Sequence, residues 1–267
     1  MCNLSVEDVQ LAPLRSITSG KFSIRRNSAV MRLSFTLVLA TAEIIGQTGA
    51  AAGEVPDTRE DVSDVFTFAC GPFRDSGGTE RFDYRERNVS PLATQGVEMV
   101  DHFHTQPALQ EMQKPKPYGT YVVDNLDFTL RHCPNHYVAL SALIKWDLAG
   151  GRSYGFPQVK CYLEWAHRFA PEDATILQFG GTYFWKKGNP SLAKHWFQAA
   201  LEIDPGLAEA QYNYGLMLFD LKEFDAARVH ARAAYEAGYP LRGLRKKLEQ
   251  AGYPLTSSGP SPAGKKP

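Results

Sequence analysis

Cysteine is scarce in this chain, with four in 267 residues and no Cys-x-x-Cys spacing among them. That excludes a disulfide-dense miniature scaffold, a zinc ribbon and a thioredoxin-like redox site. Net charge is also missing: 29 basic residues balance 29 acidic ones, so no overall field selects nucleic acid or an anionic membrane as partner. There is no Gly-x-Ser-x-Gly elbow, no Gly-x-x-x-x-Gly-Lys-Ser/Thr loop and no His-Glu-x-x-His helix. Nothing in the residues asks for a cofactor. Long apolar runs are lacking too. The longest, Leu33 to Ala42, is about half of the ~20 residues that cross a bilayer, and Glu43 interrupts its continuation.

Hydrophobic residues, by contrast, make up 43% of the chain, enough for a sizeable core. The run after Met31 opens with Arg32, continues apolar to Ala42 and reaches small residues around Ala50 and Ala52. This is the pattern of a secretory signal peptide over residues 31–52, preceded by a polar leader, with cleavage near Ala52 and export to the periplasm expected. Translation starting at Met31 would explain its distance from Met1. An uncleaved anchor is the alternative. After cleavage no stable membrane span is expected.

Residues 53–90 show no sustained periodicity and read as an extended N-terminal arm with a turn at Ser76-Gly77-Gly78. Helical spacing begins at Pro91, with Leu92, Val97, Val100 and Phe103 before Pro107. It resumes with Val122, Val123, Leu126 and Leu130 before Pro134, which makes residues 91–134 a leading helical pair. Prolines then recur at Pro134, Pro171, Pro205 and Pro240, at near-equal intervals, each closing an amphipathic helix. The first interval is slightly the longest, and the glycine-containing turn from Ala149 to Pro157 accounts for the excess. A basic capping helix is expected over 240–253, and a Ser, Pro, Gly and Lys tail, disordered, over 254–267.

Within this frame Gly215 follows Gly181 at the same interval at which Ala227 follows Ala193 and Ala234 follows Ala200. Phased glycine, alanine and proline at a period of about 34 residues resemble the tetratricopeptide repeat, a helix-turn-helix that buries its apolar face by stacking on neighbours. The resemblance implies an all-α repeat solenoid with an irregular N-terminal arm and three repeats over 135–239. The wider chain is similar to a group of exported bacterial tetratricopeptide proteins without an assigned activity. The residues that carry this likeness are Cys70-Gly71-Pro72, Asp83-Tyr84-Arg85, the stretch Leu126 to His136, that from Cys161 to Asp173, and Gly238 to Leu244. It implies a disulfide between Cys70 and Cys161, tying arm to array.

The repeat frame turns certain first-helix positions toward a concave surface: Ser141 and Lys145; Gln178, Thr182 and Trp185; Glu209, Tyr212, Asn213 and Leu216. With Trp185, Tyr212 and Asn213 exposed, these would form a groove for an extended or helical peptide of a protein partner. The competing reading has the arm cover them. The function expected is an exported scaffold for protein–protein interaction or assembly in the cell envelope. The alternative is an envelope enzyme or enzyme accessory using His102, His104 and His132 in the N-terminal half. For those histidines and His136 a place beside last-turn carbonyls is expected rather than a metal site, which needs ligands in tetrahedral reach.

Overall fold

The helix starts are set locally. Ser90 Oγ accepts from the N–H of Ala93, Asn189 Oδ1 from Leu192 and Asp173 Oδ1 from Thr175, with Pro91 and Pro190 in first helical positions where a missing N–H costs nothing. In a computed structural model that describes residues 66–73, 77 and 80–255, these caps open a run of helices, and no strand occurs among the described residues. The expected leader and signal peptide, arm residues 53–65 and the tail from Thr256 lie outside them.

The helices are α1 (Pro91–Val100), α2 (Gln106–Met112), α3 (Gly119–His132), α4 (Tyr137–Leu148), α5 (Val159–Phe169), α6 (Ala174–Lys186), α7 (Pro190–Ile203), α8 (Ala208–Asp220), α9 (Phe224–Glu236) and α10 (Gly243–Gln250). Between α1 and α2 the chain does not stop before Pro107 as its spacing suggested. Asp101–Thr105 form a π-turn in which Gln106 N–H bonds to Asp101 O. The widened turn absorbs the N–H that Pro107 lacks, so the helix runs on to Met112.

From α6 onward the architecture repeats. α6 and α8 begin at Ala174 and Ala208, and α7 and α9 at Pro190 and Phe224, with the same offset in each pair. Both α6 and α8 end in the same way. Asn189 N–H reaches back to Phe184 O and Glu223 N–H to Leu218 O, across a left-handed residue that is Gly188 (φ +80°) in one and Lys222 (φ +64°) in the other. α7 lies close on α6 because Gly180 and Gly181 leave room for the fully buried Trp196 and Phe197. A Cβ at Gly180 would fall 1.8 Å from the Trp196 ring. On α9 the buried small residues Ala227, Ala231 and Ala234 face α8, and a Cβ at Gly215 would meet Leu244 of α10. Each large side chain fully buried here stabilises the fold by about 1.5–3 kcal/mol before entropy is counted.

α3 is held to α5 by Tyr162, whose hydroxyl donates to Asp127 Oδ1 at 2.6 Å, while Arg131 neutralises the same buried carboxylate at 3.0 Å. A smaller core of Tyr84, Val97 and Cys133, with Phe82, Tyr137 and Val138 against it, joins the arm to α1, α3 and α4.

Candidate binding site

The connection between α4 and α5, residues 149–158, is longer than the three-residue turns at Lys187–Asn189 and Leu221–Glu223. It folds back rather than looping outward. Gly150 (φ +83°), Tyr154 (φ +52°) and Gly155 (φ +85°) take left-handed conformations, and the indole N–H of Trp146 donates to Arg152 O at 3.1 Å. Gly151 has to be glycine, since a Cβ there would lie 2.3 Å from the Trp146 Nε1. Tyr154 settles on α3, its ring filling the space a side chain at Gly119 would need.

The folded turn walls a cleft of about 370 Å³ at the C-terminal ends of α4 and α6. Its floor is apolar: Val123, Leu143 and Val159, all buried. Trp146 and Tyr183 supply aromatic surface, and charge sits at the rim. Lys187 Nζ lies 3.0 Å from Asp147 Oδ2, and the Tyr183 hydroxyl donates to the same oxygen at 3.2 Å. Burial, with the Asp147 charge beside it, pushes the Tyr183 phenol well up, so it remains a neutral donor. The exposed Arg152 guanidinium has no ion-pair partner among the described residues. The lining contains neither histidine nor cysteine. An apolar floor with a few convergent polar groups is the make-up of a recognition site.

The residues expected to form a concave peptide groove fare differently. Lys145 is exposed, and Ser141, Trp185 and Glu209 are half-buried, with the Lys186 ammonium 4.0 Å from the centre of the Trp185 ring. Gln178, Thr182, Tyr212, Asn213 and Leu216 are buried, which corrects the expectation that Tyr212 and Asn213 are exposed anchors. Tyr212 is covered from the far side of its repeat: the Tyr239 ring lies 4.4 Å from it and Tyr235 stands edge-on at 6.4 Å. Gln178 turns its amide onto Thr182 Oγ1 one helical turn away, at 3.0 Å. Both polar atoms of the Asn213 side chain are buried, without a hydrogen-bond partner among the described residues.

The histidines pack. His104 and His132 both stack on the Phe128 ring, at 3.8 Å and 4.3 Å, with their Nδ1 atoms at Asn125 Oδ1 and Phe128 O. His102 is exposed against Phe103. His136 caps α4 by accepting from Ala139 N–H, and its other nitrogen lies 3.1 Å from Asp101 Oδ1, off hydrogen-bond geometry. Among the described residues no group of three or more His, Cys, Asp or Glu is placed to hold a metal.

Two stretches far apart in the chain, Asp83-Tyr84-Arg85 and Asn135-His136-Tyr137, meet in one polar cluster. The fully buried Asn135 amide donates to Asp83 Oδ1 (2.7 Å) and Asp173 Oδ2 (3.1 Å), and accepts from Tyr84 N–H (3.0 Å). The Tyr137 hydroxyl adds contacts to both Asp173 oxygens, and Arg85 pairs with Asp83 at 2.6 Å. Burial holds the Asp173 carboxyl above its usual range despite these donors. For Asp83 burial acts the same way but is outweighed by Arg85 and Asn135, and its carboxyl sits below. Farther up the arm Cys70 and Cys161 form a disulfide, with Cα atoms 5.4 Å apart, while Cys133 is free and buried.

No protein-family model matches this chain, and no curated protein matches it. Of the residues that line the cleft, the sequence marked only Val123, by helical spacing, and those of the turn from Ala149 to Pro157, as a connector rather than a site. The available signal was the excess length of the 149–158 turn and its glycines, which spacing alone marks as a connector.

Proposed function

We propose that the chain is an exported, non-enzymatic binding module of tetratricopeptide-like repeats that holds a carboxylate-bearing segment of a partner protein in the cleft between α4, α6 and the 149–158 turn. The repeat reading is supported by the equal offsets of α6 from α8 and of α7 from α9, and by their matching ends. A disulfide in the arm supports work in an oxidising compartment such as the periplasm.

The observation that carries the reading is the cleft itself. Three left-handed residues and a tryptophan hydrogen bond fix Arg152 in the lining of a cleft with an apolar floor, which also contains a Lys187–Asp147 pair that is already formed. A carboxylate entering there gains a bidentate guanidinium partner without first breaking an internal ion pair. Buried Tyr212 and Asn213 belong to the framework, so the recognition surface lies at the helix ends rather than along the helix faces.

The test is a peptide array probed with the full chain, followed by titration of captured peptides. Arg152→Ala should weaken capture about tenfold or more, in line with a charge-assisted hydrogen bond of ~1.5–3 kcal/mol. Its thermal unfolding should remain that of the parent, since only the backbone carbonyl of Arg152 is used structurally. Capture indifferent to Arg152→Ala and to salt would remove the cleft as the site.

A further inference from the structure

Residues Phe66–Phe73 lie over α5, α6 and α7, and the side chains from Phe66 to Cys70 alternate. Phe66, Phe68 and Cys70 are half-buried while Thr67 and Ala69 are exposed, the period of two of a strand. The ring of Phe66 lies 5.0 Å from both Trp196 and His167. Phe68 lies 5.3 Å from Phe184 and stacks over Trp196 at 6.2 Å. The backbone is read as well: Phe68 N–H donates to Glu164 Oε2 at 2.7 Å, and Trp165 Nε1–H donates to Gly71 O at 3.3 Å. Glu164 is 2% exposed, so its carboxylate is a fixed, desolvated acceptor. Backbone contacts combined with pockets for alternate side chains are how proteins hold extended peptides.

One covalent bond fastens this segment, Cys70–Cys161, and both cysteines are half-buried rather than sealed in the core. Ala69 (φ +53°) and Gly71 (φ +75°) flank Cys70 in left-handed conformations. The left-handed backbone of the alanine is strained, which favours release once the bond is gone. While the bond is closed the arm cannot leave. Once it opens, the arm competes only at the effective concentration of a tethered ligand, on the order of millimolar.

We propose that the slot formed by Glu164, Trp165, His167, Phe184 and Trp196 is a second recognition site, for an extended aromatic-x-aromatic segment of a partner protein. The arm occupies it in cis while Cys70–Cys161 is closed, and a dithiol opens it. In the opening step the dithiol gives two electrons and two protons to the S–S bond. It becomes a disulfide itself and leaves Cys70 and Cys161 as thiols. This site is separate from the cleft, and Arg152→Ala should not affect it, so the two proposals fail independently.

The test uses the full chain and a fluorescent nonapeptide, Val-Phe-Thr-Phe-Ala-Ser-Gly-Pro-Phe, which is the arm from Val65 to Phe73 with serine at the position of Cys70. The oxidised chain should not bind it, and the dithiothreitol-reduced chain should bind it weakly. A Phe66→Ser, Phe68→Ser, Cys70→Ser variant, whose arm can no longer compete, should bind at least tenfold more tightly than the reduced chain. A peptide with both phenylalanines replaced by serine should bind none of them. Equal binding to oxidised and reduced chains, or binding to neither the reduced chain nor the folded variant, overturns the proposal. Hydrogen exchange decides independently of whether the variant folds. Reduction of the wild-type chain should speed exchange at the Phe68 amide at least tenfold while α6 and α7 stay protected, and an unchanged rate refutes arm release.

Discussion

Asn135→Ala is the sharpest test of how the arm is fixed to the helices. The fully buried amide supplies both of its donors to carboxylates, Asp83 and Asp173, and its carbonyl takes the N–H of Tyr84. Hydrogen bonds to charged groups contribute about 1.5–3 kcal/mol each and a neutral one about 1 kcal/mol. Asp83 is partly open to water and the three contacts are not additive, so the expected loss is about 4 kcal/mol. The loss should depend on pH, and its sign follows from the carboxyls. Asn135 lowers both, so removing it raises both in the folded state and makes the folded variant bind protons more tightly. The deficit relative to the parent is then complete at pH 8 and shrinks as the pH falls through the raised carboxyl values. Urea unfolding of both proteins with the disulfide intact, at pH 8 and pH 5, measures this. A deficit below ~1 kcal/mol at pH 8, or one that grows on acidification, would refute the reasoning.

Gly180→Ala places a methyl group where the Trp196 ring lies. Despite the higher helix propensity of alanine, it should lower stability by about 2–3 kcal/mol in denaturant unfolding, and a neutral result would mean that α6 and α7 can separate without cost. Burial lowers the His167 imidazole below its ordinary 6.5, so the stability tied to its neutral form is present above that pH and lost as the pH falls below it. His167→Phe should therefore show a smaller drop in unfolding free energy than the parent between pH 7.5 and 5.5. Part of the drop will persist, because burial also lowers His230. Tyr212→Ala, a groove substitution by the repeat frame, should act on stability instead, costing about 3 kcal/mol for a buried ring, as thermal unfolding would show.

Much of the helical framework is legible in the chain because the signals that end helices are local. Pro134, Pro171, Pro205 and Pro240 each follow a helix, and the phased Gly181 and Gly215 sit under Phe197 and Leu244, where close approach requires them. Where local signals compete, the packed structure decides. Pro107 looked like a stop, but the π-turn Asp101–Thr105 carries the helix through it. The candidate binding surfaces were less legible still. Position in a repeat says which way a side chain leaves its helix, not what covers it. Tyr212 leaves α8 where the frame puts a groove residue and is then buried by Tyr239, which lies beyond the end of α9.

Composition and spacing by themselves determined that this chain builds helices, where most of them stop, and that two helix pairs repeat at one period. Those features rest on backbone hydrogen bonding and caps within a few residues of one another. Only the tertiary structure decided that Asp83, Asn135 and Asp173 share one buried cluster, that the 149–158 turn closes a cleft that Arg152 lines, and that Phe66 and Phe68 lie in an aromatic slot. Each of these joins residues distant in sequence. Their burial and charge are properties of the assembled fold, and no stretch of the chain carries them alone.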